Sequence, residues 1–249
     1  LQVGVFSSHV RAHGKQPREP YAYGPRVEDI ARRYLQLRYR LLPYIYSQAV
    51  RSAQTGLPMA RAMVLEFQED PTTHRLDLQY LFGDSFLVAP VVRYDHRCRV
   101  YLPAGDWLDY WTKETISGPR WLDLEVPLDT LPLWVRAGAI LPLGPEMAHT
   151  GEKPLDPLTL ELYQPEGEAV TVVYDEDRPD IPVRYTRQAG SLTVEVGPSP
   201  GQVEIVLYGV RAGAARLDGQ PLPIVVTPAG HQRLAFEGTA GVKIEVQLA

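Results

Sequence analysis

Cysteine is nearly absent from this chain. Its 249 residues include one cysteine, Cys98, which excludes an intrachain disulfide and a metal site built from thiolates. The apolar side chains around Cys98 in residues 97–101 are typical of a strand with a packed face. We therefore expect a thiol that packs inside a strand, and a reducing compartment such as the cytoplasm.

Long apolar runs and an excess of one charge are also missing. No stretch of roughly 18 apolar residues could span a membrane, and the first residues lack the charged and apolar segments of a secretion signal. The net charge is −5, with acidic and basic residues interspersed. We therefore expect no nucleic acid and no membrane as partner, and a neutral ligand suits this charge balance.

Several short functional motifs are absent as well. The sequence has no glycine-rich phosphate loop, no Gly-x-Ser-x-Gly elbow and no cysteine–histidine pair at the spacing of a nucleophile and its base. The arginines at positions 32, 33, 38 and 40 could form a nucleic-acid surface, but Glu28 and Asp29 precede them. We expect instead a solvated helix face, with some arginines bonding to loops.

One long amphipathic helix is predicted from Pro25 to Thr55. Pro25 suits its first turn, and Gly56 ends it. Pro43 should kink it, because proline removes a backbone donor and crowds the carbonyl of Tyr39. The apolar stripe of this helix consists of Val27, Ile30, Tyr34, Leu37, Leu41 and Ile45. So wide a stripe must lie against something large, and we expect it to be bare to water if no further domain covers it.

The candidate functional site precedes this helix. Val3, Val5 and Phe6 suggest an apolar strand, and the polar loop 7–14 (SSHVRAHG) follows it. A strand, a loop and an amphipathic helix form one βα unit of an α/β barrel, whose reactive groups lie on the loops after the strands. His13 and Arg11 are hydrogen-bond donors that could hold a hydroxyl-rich ligand or pair with a carboxylate. These residue types suit binding of a ligand better than nucleophilic attack; for His13, a bond that holds the loop to the barrel rim is an equal alternative at this point.

A metal at this loop is not expected. His9 and His13 have the four-residue spacing of two zinc ligands on one helix face. However, Val10 stands where a zinc hydrolase of this pattern has its glutamate, and Gly14 follows His13 directly. We therefore predict no metal site and no catalytic residue in this segment.

Strand patterns dominate the rest of the chain. Short apolar stretches at 59–67, 86–92, 99–102 and 133–141 predict a small β-sandwich, and a polar linker follows at 145–157. Clean alternation of apolar and polar residues beyond it predicts a second antiparallel β-sandwich. The predicted fold is thus α/β plus all-β, with domains at residues 1–56, 57–147 and 148–249, of which the last should fold alone.

Two side-chain clusters leave alternatives open. Trp107, Tyr110, Trp111 and Trp121 could form a platform on which sugar rings stack, although packing of large rings in a core is the commoner role. The acidic segment 174–177 (YDED) could bind calcium, but its spacing lacks the ligand pattern of a helix-loop-helix site, which favours a solvated turn.

The loop and the segments after it resemble family thirty-one of the glycoside hydrolases. The matching segments include residues 7–14, then Pro20, Tyr21, Tyr23 and Gly24, and 37–46 (LRYRLLPYIY), 56–63 (GLPMARAM), 82–84 (FGD), 87–91 (LVAPV), 101–107 (YLPAGDW) and 131–138 (LPLWVRAG). Segments 7–14 and 61–63 are more similar to the α-xylosidase branch than to the α-glucosidases. The resemblance implies the C-terminal portion of a (β/α)8 barrel, with its last strand, loop and helix, followed by two β-sandwiches.

The same resemblance implies a retaining α-glycosidase without a cofactor, acting on terminal α-linked xylose or glucose of oligosaccharides. It implies that His13 donates to sugar hydroxyls and that Arg11 orders the loop or a neighbouring carboxylate. Ser8 and His9 are further candidates for binding, and Asp70, Asp77 and Asp84 are expected in turns and interfaces.

Both catalytic aspartates of the family belong to motifs that this sequence lacks, so we expect the chain alone to be inactive and to need the barrel portion that carries them. A homo-oligomer is possible. The alternative is a free-standing carbohydrate-binding or assembly module.

Overall fold

The computed structural model describes residues 1–176, 178–199, 201–238 and 240–249. The chain forms a helical segment, one sheet that packs on it, and a sandwich of two further sheets. The helical part and the sheets confirm the predicted fold class.

The first element is a helical turn, α1 (Gln2–Val5), and not the predicted strand at Val3, Val5 and Phe6. The Val5 N–H donates to Leu1 O at 3.0 Å, and the described sheets contain no strand that pairs with this segment. Alternation would place Val3 and Val5 on one face, whereas Val3 is 55% exposed and Val5 and Phe6 are fully buried. A single helical turn satisfies the backbone while burying the two consecutive side chains.

The predicted long helix is present but interrupted, as α2 (Pro25–Arg40) and α3 (Leu42–Thr55). The break at Leu41 lies at the turn before Pro43, whose missing N–H and crowded ring prevent a continuous helix. The predicted kink is therefore confirmed. Gly56 ends α3 in the left-handed conformation with φ +78°, as predicted for a glycine C-cap.

The apolar stripe of α2 and α3 is not bare to water, and our expectation that it would be is wrong. Ile30, Tyr34, Leu41 and Ile45 are at most 9% exposed. They share one core cluster with strand residues such as Phe82 and Leu133. The chain itself supplies the large apolar surface that the stripe requires, which stabilises the fold by roughly 1.5–3 kcal/mol per large side chain buried.

The covering surface is the proximal sheet, a six-stranded antiparallel sheet. Its strands are β1 (Ala60–Arg61), β2 (Tyr80–Phe82), β3 (Phe86–Val88), β4 (Arg97–Asp109), β5 (Thr115–Glu125) and β6 (Leu133–Arg136), in the order β1-β2-β3-β6-β4-β5. Of the predicted strand at 59–67, Ala60–Arg61 is a strand, whereas Met63–Leu65 forms a 3₁₀ turn. A register shift between Leu102 and Gly105 interrupts the β4–β5 pairing, and a second cluster around Trp107 packs on the other face. Cys98 lies in β4 and packs partly against that cluster.

The remaining strands form the distal sandwich. They are β7 (Ile140–Leu143), β8 (Leu158–Tyr163), β9 (Glu168–Asp175), β10 (Arg178–Gln188), β11 (Ser191–Val196), β12 (Gln202–Tyr208), β13 (Ala212–Leu217), β14 (Gln220–Pro221), β15 (Val225–Val226), β16 (Gln232–Glu237) and β17 (Val242–Leu248). One sheet has the order β14-β13-β17-β11-β10-β9 and the other β15-β16-β12-β8-β7. The pairing of β8 with β12 is parallel, which the prediction of a purely antiparallel sandwich missed.

The distal sandwich begins before the predicted boundary at residue 148. β7 precedes the polar segment 145–157 but pairs with β8, from Ile140 opposite Leu162 to Leu143 opposite Thr159. The sheet boundary therefore lies before Ile140, and independent folding of the domain stays a prediction. Of the acidic segment 174–177, Tyr174 and Asp175 end β9, whereas Asp177 lies outside the described residues.

Candidate functional site

The polar loop 7–14 leaves a firmly packed base. Phe6 makes edge-to-face contacts with Phe82 and Phe86, with ring centroids 5.9 and 5.4 Å away. Tyr80 on β2 donates its hydroxyl to Phe6 O at 2.8 Å, and burial raises the pKa of this phenol to about 12. The phenol therefore stays a neutral donor, and the proximal sheet fixes the point at which the loop starts.

Gln2 ties α1 to the same sheet from the other side. Its side-chain amide donates to Thr130 O at 3.2 Å and accepts from the Val91 N–H at 2.7 Å. Together with the Tyr80 bond, these contacts hold α1 and the start of the loop against two separate segments of the proximal part of the chain.

Arg38 on α2 holds the loop backbone. Its Nη1 donates to the carbonyls of Gly4, Val5 and Ser7 at 3.3, 2.6 and 2.8 Å, and Nη2 donates to Ser8 O at 3.3 Å. A helix end leaves such carbonyls without intrahelical partners, and a guanidinium can satisfy several of them at once. Burial lowers the pKa of Arg38 from its usual value. The prediction that some arginines of α2 bond to loops is confirmed.

His13 and Arg11 lie on the exposed part of this loop. Within the part of the chain that the structure describes, neither side chain has a hydrogen-bond partner. Both side chains are therefore accessible to a ligand or to a further part of the protein. Ser8 and His9 are exposed in the same loop, where the Ser7 hydroxyl donates to His9 O at 2.7 Å. Substrate binding by His13 and Arg11 stays a prediction.

Two of the three carboxylates singled out in the sequence have structural roles. Asp84 accepts from Arg61 at 2.9 Å and from Gln48 at 3.2 Å, and it also pairs with Arg51. Asp70 caps the 3₁₀ turn Pro71–Arg75, and the Tyr101 hydroxyl donates to it at 2.6 Å. That hydrogen bond lowers the pKa of Asp70. Asp77 is exposed, and its predicted role stays untested.

The described residues contain no group of three or more His, Cys, Asp or Glu side chains that could hold a metal ion. In the same residues, no helix is both long and apolar enough to span a membrane.

The predicted aromatic cluster divides into two pairs. Trp107 and Tyr110 are 1% and 8% exposed and belong to the core, as the commoner interpretation predicted. Trp111 and Trp121 are 42% and 40% exposed. The ring of Trp121 lies under the guanidinium of Arg99, whose Cζ is 4.5 Å from the ring centroid. Trp111 lines an open cleft instead.

A buried polar cluster, which sequence analysis missed, joins the proximal sheet to the distal sandwich. Lys113 lies in the β4–β5 turn, with φ +64°, and donates to Tyr110 O at 2.6 Å and to the Tyr163 hydroxyl at 2.8 Å. The hydroxyls of Tyr163 and Tyr208 donate to the two oxygens of Glu161 at 2.7 and 3.0 Å. Burial lowers the pKa of Lys113. The sequence around Lys113 is that of an ordinary turn, so it does not predict these contacts.

Two family models match consecutive parts of the chain. Residues 1–48 match the description "Glycosyl hydrolases family 31 TIM-barrel domain". Residues 56–141 match "Glycosyl hydrolase family 31 C-terminal domain". The first match ends within α3 and the second begins at Gly56, directly after α3, so the division falls where the helices give way to the proximal sheet.

Curated proteins of two specificities are similar to the chain. Alpha-glucosidase 2 of Bacillus thermoamyloliquefaciens is 34% identical over 182 residues, which cover 71% of this chain and 23% of that protein. An alpha-xylosidase of Saccharolobus solfataricus is 37% identical over 180 residues, covering 71% of this chain and 24% of that protein. The chain thus spans about a quarter of the length of these relatives.

Solved structures share the fold over nearly the whole chain. A family 31 alpha-xylosidase of Xanthomonas citri superposes with a TM-score of 0.78 at 27% identity, over 97% of this chain and 28% of that one. A family 31 dextranase of Flavobacterium johnsoniae gives a TM-score of 0.90 at 24% identity, over 99% of this chain and 36% of that one.

Proposed function

Because the chain belongs to glycosyl hydrolase family 31, we propose that it is the C-terminal part of a retaining α-glycosidase that releases terminal α-linked xylose or glucose from oligosaccharides. The observation that carries the proposal is the loop 7–14. Arg38 and Tyr80 anchor the start of this loop, at residues 5–8, from two elements, whereas the donors His13 and Arg11 remain exposed. An anchored base with exposed side-chain donors suits a binding loop.

The proposed chemistry divides between this chain and a preceding barrel portion. Retaining hydrolysis needs a carboxylate nucleophile and a carboxylic acid placed about 5–5.5 Å apart across the glycosidic bond. In this chain, the carboxylate of Asp70 accepts a hydrogen bond in a turn, and the carboxylate of Asp84 forms an ion pair. We therefore assign both catalytic carboxyl groups to the barrel portion, and to His13 the role of a donor to sugar hydroxyls. No cofactor enters this reaction.

The preference for xylose is the finer part of the proposal. It is supported by the segments 7–9 (SSH) and 61–63 (RAM), which are more similar to the α-xylosidase branch. The relatives include an alpha-xylosidase and an alpha-glucosidase at similar identity, 37% and 34%. Xylose lacks the hydroxymethyl group of glucose, so discrimination requires bulk beside C5 of the bound sugar. That bulk would come from the barrel portion.

The test is to assay the chain alone and after co-expression with the coding sequence that precedes Leu1. Aryl α-xylosides and aryl α-glucosides serve as substrates, and light scattering gives the mass of each preparation. We expect no turnover by the chain alone and turnover by the assembled protein, with retention of anomeric configuration. Turnover by the monomeric chain alone would contradict the assignment of the carboxyl groups to the barrel portion.

A free-standing carbohydrate-binding module is the second candidate. The observation in its favour is that the proximal sheet covers the helical stripe, so the chain needs no barrel to bury Ile30, Tyr34 or Leu41. The match of residues 1–48 to a barrel model favours the enzyme. A preceding open reading frame without a barrel sequence would decide for the module.

A further inference from the structure

Trp111 is held rigidly at the edge of a cleft. Its indole Nε1 donates to Leu131 O at 2.7 Å, and its backbone N–H donates to Asp109 Oδ1 at 2.8 Å. Tyr34 and Tyr110 contact the indole edge-to-face, with centroids 5.7 and 5.0 Å away. The indole cannot turn away without losing these contacts, yet 42% of the residue remains exposed. Its orientation is therefore set before any ligand arrives.

The cleft beside Trp111 has the size and composition of a small-molecule site. Its volume of 590 Å³ lies within the range of roughly 300–1,000 Å³ that ligand pockets occupy. Its charged lining residues are Arg33, Arg40, Asp109, Asp129 and Glu146. Two positive and three negative groups leave no strong excess of either sign, and Arg33 already pairs with Asp129 at 3.4 Å. A neutral ligand with many hydroxyl groups suits such a mixture of donors and acceptors.

An exposed tryptophan is not always available for stacking of a sugar ring, and Trp121 is an example. It is exposed to nearly the same degree as Trp111, at 40%, but Arg99 covers its ring and Tyr101 packs beside it at 5.1 Å. The cation–π contact occupies the surface that a sugar would need. The two tryptophans are therefore suited to a matched comparison, since Trp111 borders a polar cleft whereas the ring of Trp121 lies under a guanidinium.

We propose that the cleft between α2 and the β4–β5 turn binds a pyranose unit of a saccharide, with its apolar face against Trp111 and its hydroxyls towards Gln36, Arg40 and Thr112. This site contains none of the loop residues 7–14. It does not depend on the proposed function, because binding is measured on the chain without turnover.

Isothermal calorimetry with maltose tests the proposal, with sorbitol as a control that has hydroxyl groups but no ring face. We expect saturable maltose binding with a Kd on the order of 1 mM and no saturation by sorbitol. Trp111→Leu, which keeps apolar bulk against Tyr34, should weaken maltose binding about tenfold or more. Trp121→Leu should leave maltose binding unchanged.

A second variant covers the case in which Trp111→Leu does not fold. Gln36 is exposed on α2, and Gln36→Arg keeps helix propensity while it places a longer side chain over the cleft, so it should weaken maltose binding to the same degree. Absence of saturation by maltose, equal binding of sorbitol, or unchanged binding in Gln36→Arg would each overturn the proposal. Loss of glycosidase activity in an assembled enzyme would bear on the proposed function and not on this site.

Discussion

Lys113 of the β4–β5 turn and Tyr163 of β8 are joined by a 2.8 Å hydrogen bond, although fifty positions separate them in the sequence. The ammonium also lies 4.1 Å from the ring centroid of Tyr110 and 4.6 Å from that of Tyr208. Glu161 completes the cluster by accepting from the hydroxyls of Tyr163 and Tyr208. A half-buried cation, three aromatic rings and a buried carboxylate thus connect the proximal sheet to the distal sandwich.

Replacing Lys113 should destabilise the chain through this cluster. In Lys113→Met, the Tyr163 hydroxyl loses its donor and buried Glu161 loses the attraction of the ammonium, so the free energy of unfolding should fall by about 2 kcal/mol or more. Urea denaturation measures the change, and Lys243→Met, at an exposed surface pair, is the control, for which we expect no measurable change. Adding Glu161→Gln to Lys113→Met should restore part of the loss, and strict additivity of the two effects would contradict the coupling.

The Tyr101–Asp70 hydrogen bond should give a pH-dependent contribution to stability. It lowers the pKa of Asp70 below 3.8, so its stabilisation is present above pH 3.8 and is lost as the pH falls through the folded-state pKa. Tyr101→Phe should therefore destabilise the chain at neutral pH, and its difference from wild type should shrink in acid. A difference that stays constant between neutral pH and pH values below 3.8 would count against this account.

His13→Ala should impair catalysis in the assembled enzyme without affecting the fold. Loss of a donor to the reacting sugar should lower kcat/KM about thirtyfold, which corresponds to roughly 2 kcal/mol of transition-state stabilisation. His149→Ala, another exposed histidine, is the matched control. Steady-state kinetics with an aryl glycoside checks the prediction, and wild-type values in His13→Ala with an intact circular dichroism spectrum would refute it.

Arg38→Lys should act on the same loop indirectly. An ammonium has three donors on one atom and cannot reproduce the four bonds that Nη1 and Nη2 make. We expect faster hydrogen exchange in residues 4–10 of the chain and about a tenfold lower kcat/KM in the assembled enzyme. Arg32→Lys, whose guanidinium makes an exposed ion pair with Glu28, should change neither measurement.

Gly83→Ala should be more destabilising than Gly56→Ala, although both glycines have positive φ. A Cβ at Gly83 would lie 2.2 Å from the hydroxyl oxygen of buried Tyr44, whereas a Cβ at Gly56 meets nothing within 4 Å. Gly56→Ala should cost about 1–2 kcal/mol for its left-handed backbone alone. Gly83→Ala should cost at least about 1 kcal/mol more, because the overlap displaces a core side chain. Thermal unfolding of the two variants gives the comparison.

Structural features that depend on a few neighbouring residues were predictable from the sequence. The interruption of the helix at Pro43 and its end at Gly56 follow from backbone chemistry within a few residues. The alternation of apolar and polar residues predicted β11 and β17, because each of these two strands has one buried face. The turn at Gln2–Val5 was mispredicted, since two valines and a phenylalanine in a short segment favour a strand unless the packing partners are known.

Long-range partnerships could not be predicted in the same way. Nothing near Arg38 distinguishes it from the other arginines of α2, and its bonds depend on where α1 lies. The burial of Ile30 and Tyr34 was foreseeable, but the covering surface was wrongly placed outside the chain. The local sequence predicts that Lys113 lies in an exposed turn, whereas in the structure it contacts Tyr163 of β8 and Tyr208 of β12. Each of these errors concerns a contact between elements far apart in sequence.

The strand β7 has a consequence for how this protein could be recombined with others. A gene cut in the polar segment 145–157 would separate Ile140–Leu143 from its partner β8 and deprive the distal sandwich of the strand that flanks β8. The β8 edge would then present unpaired backbone groups, which favour intermolecular pairing and aggregation. Exchange of intact modules between relatives therefore requires a crossover before Ile140, within the short connection Ala137–Ala139.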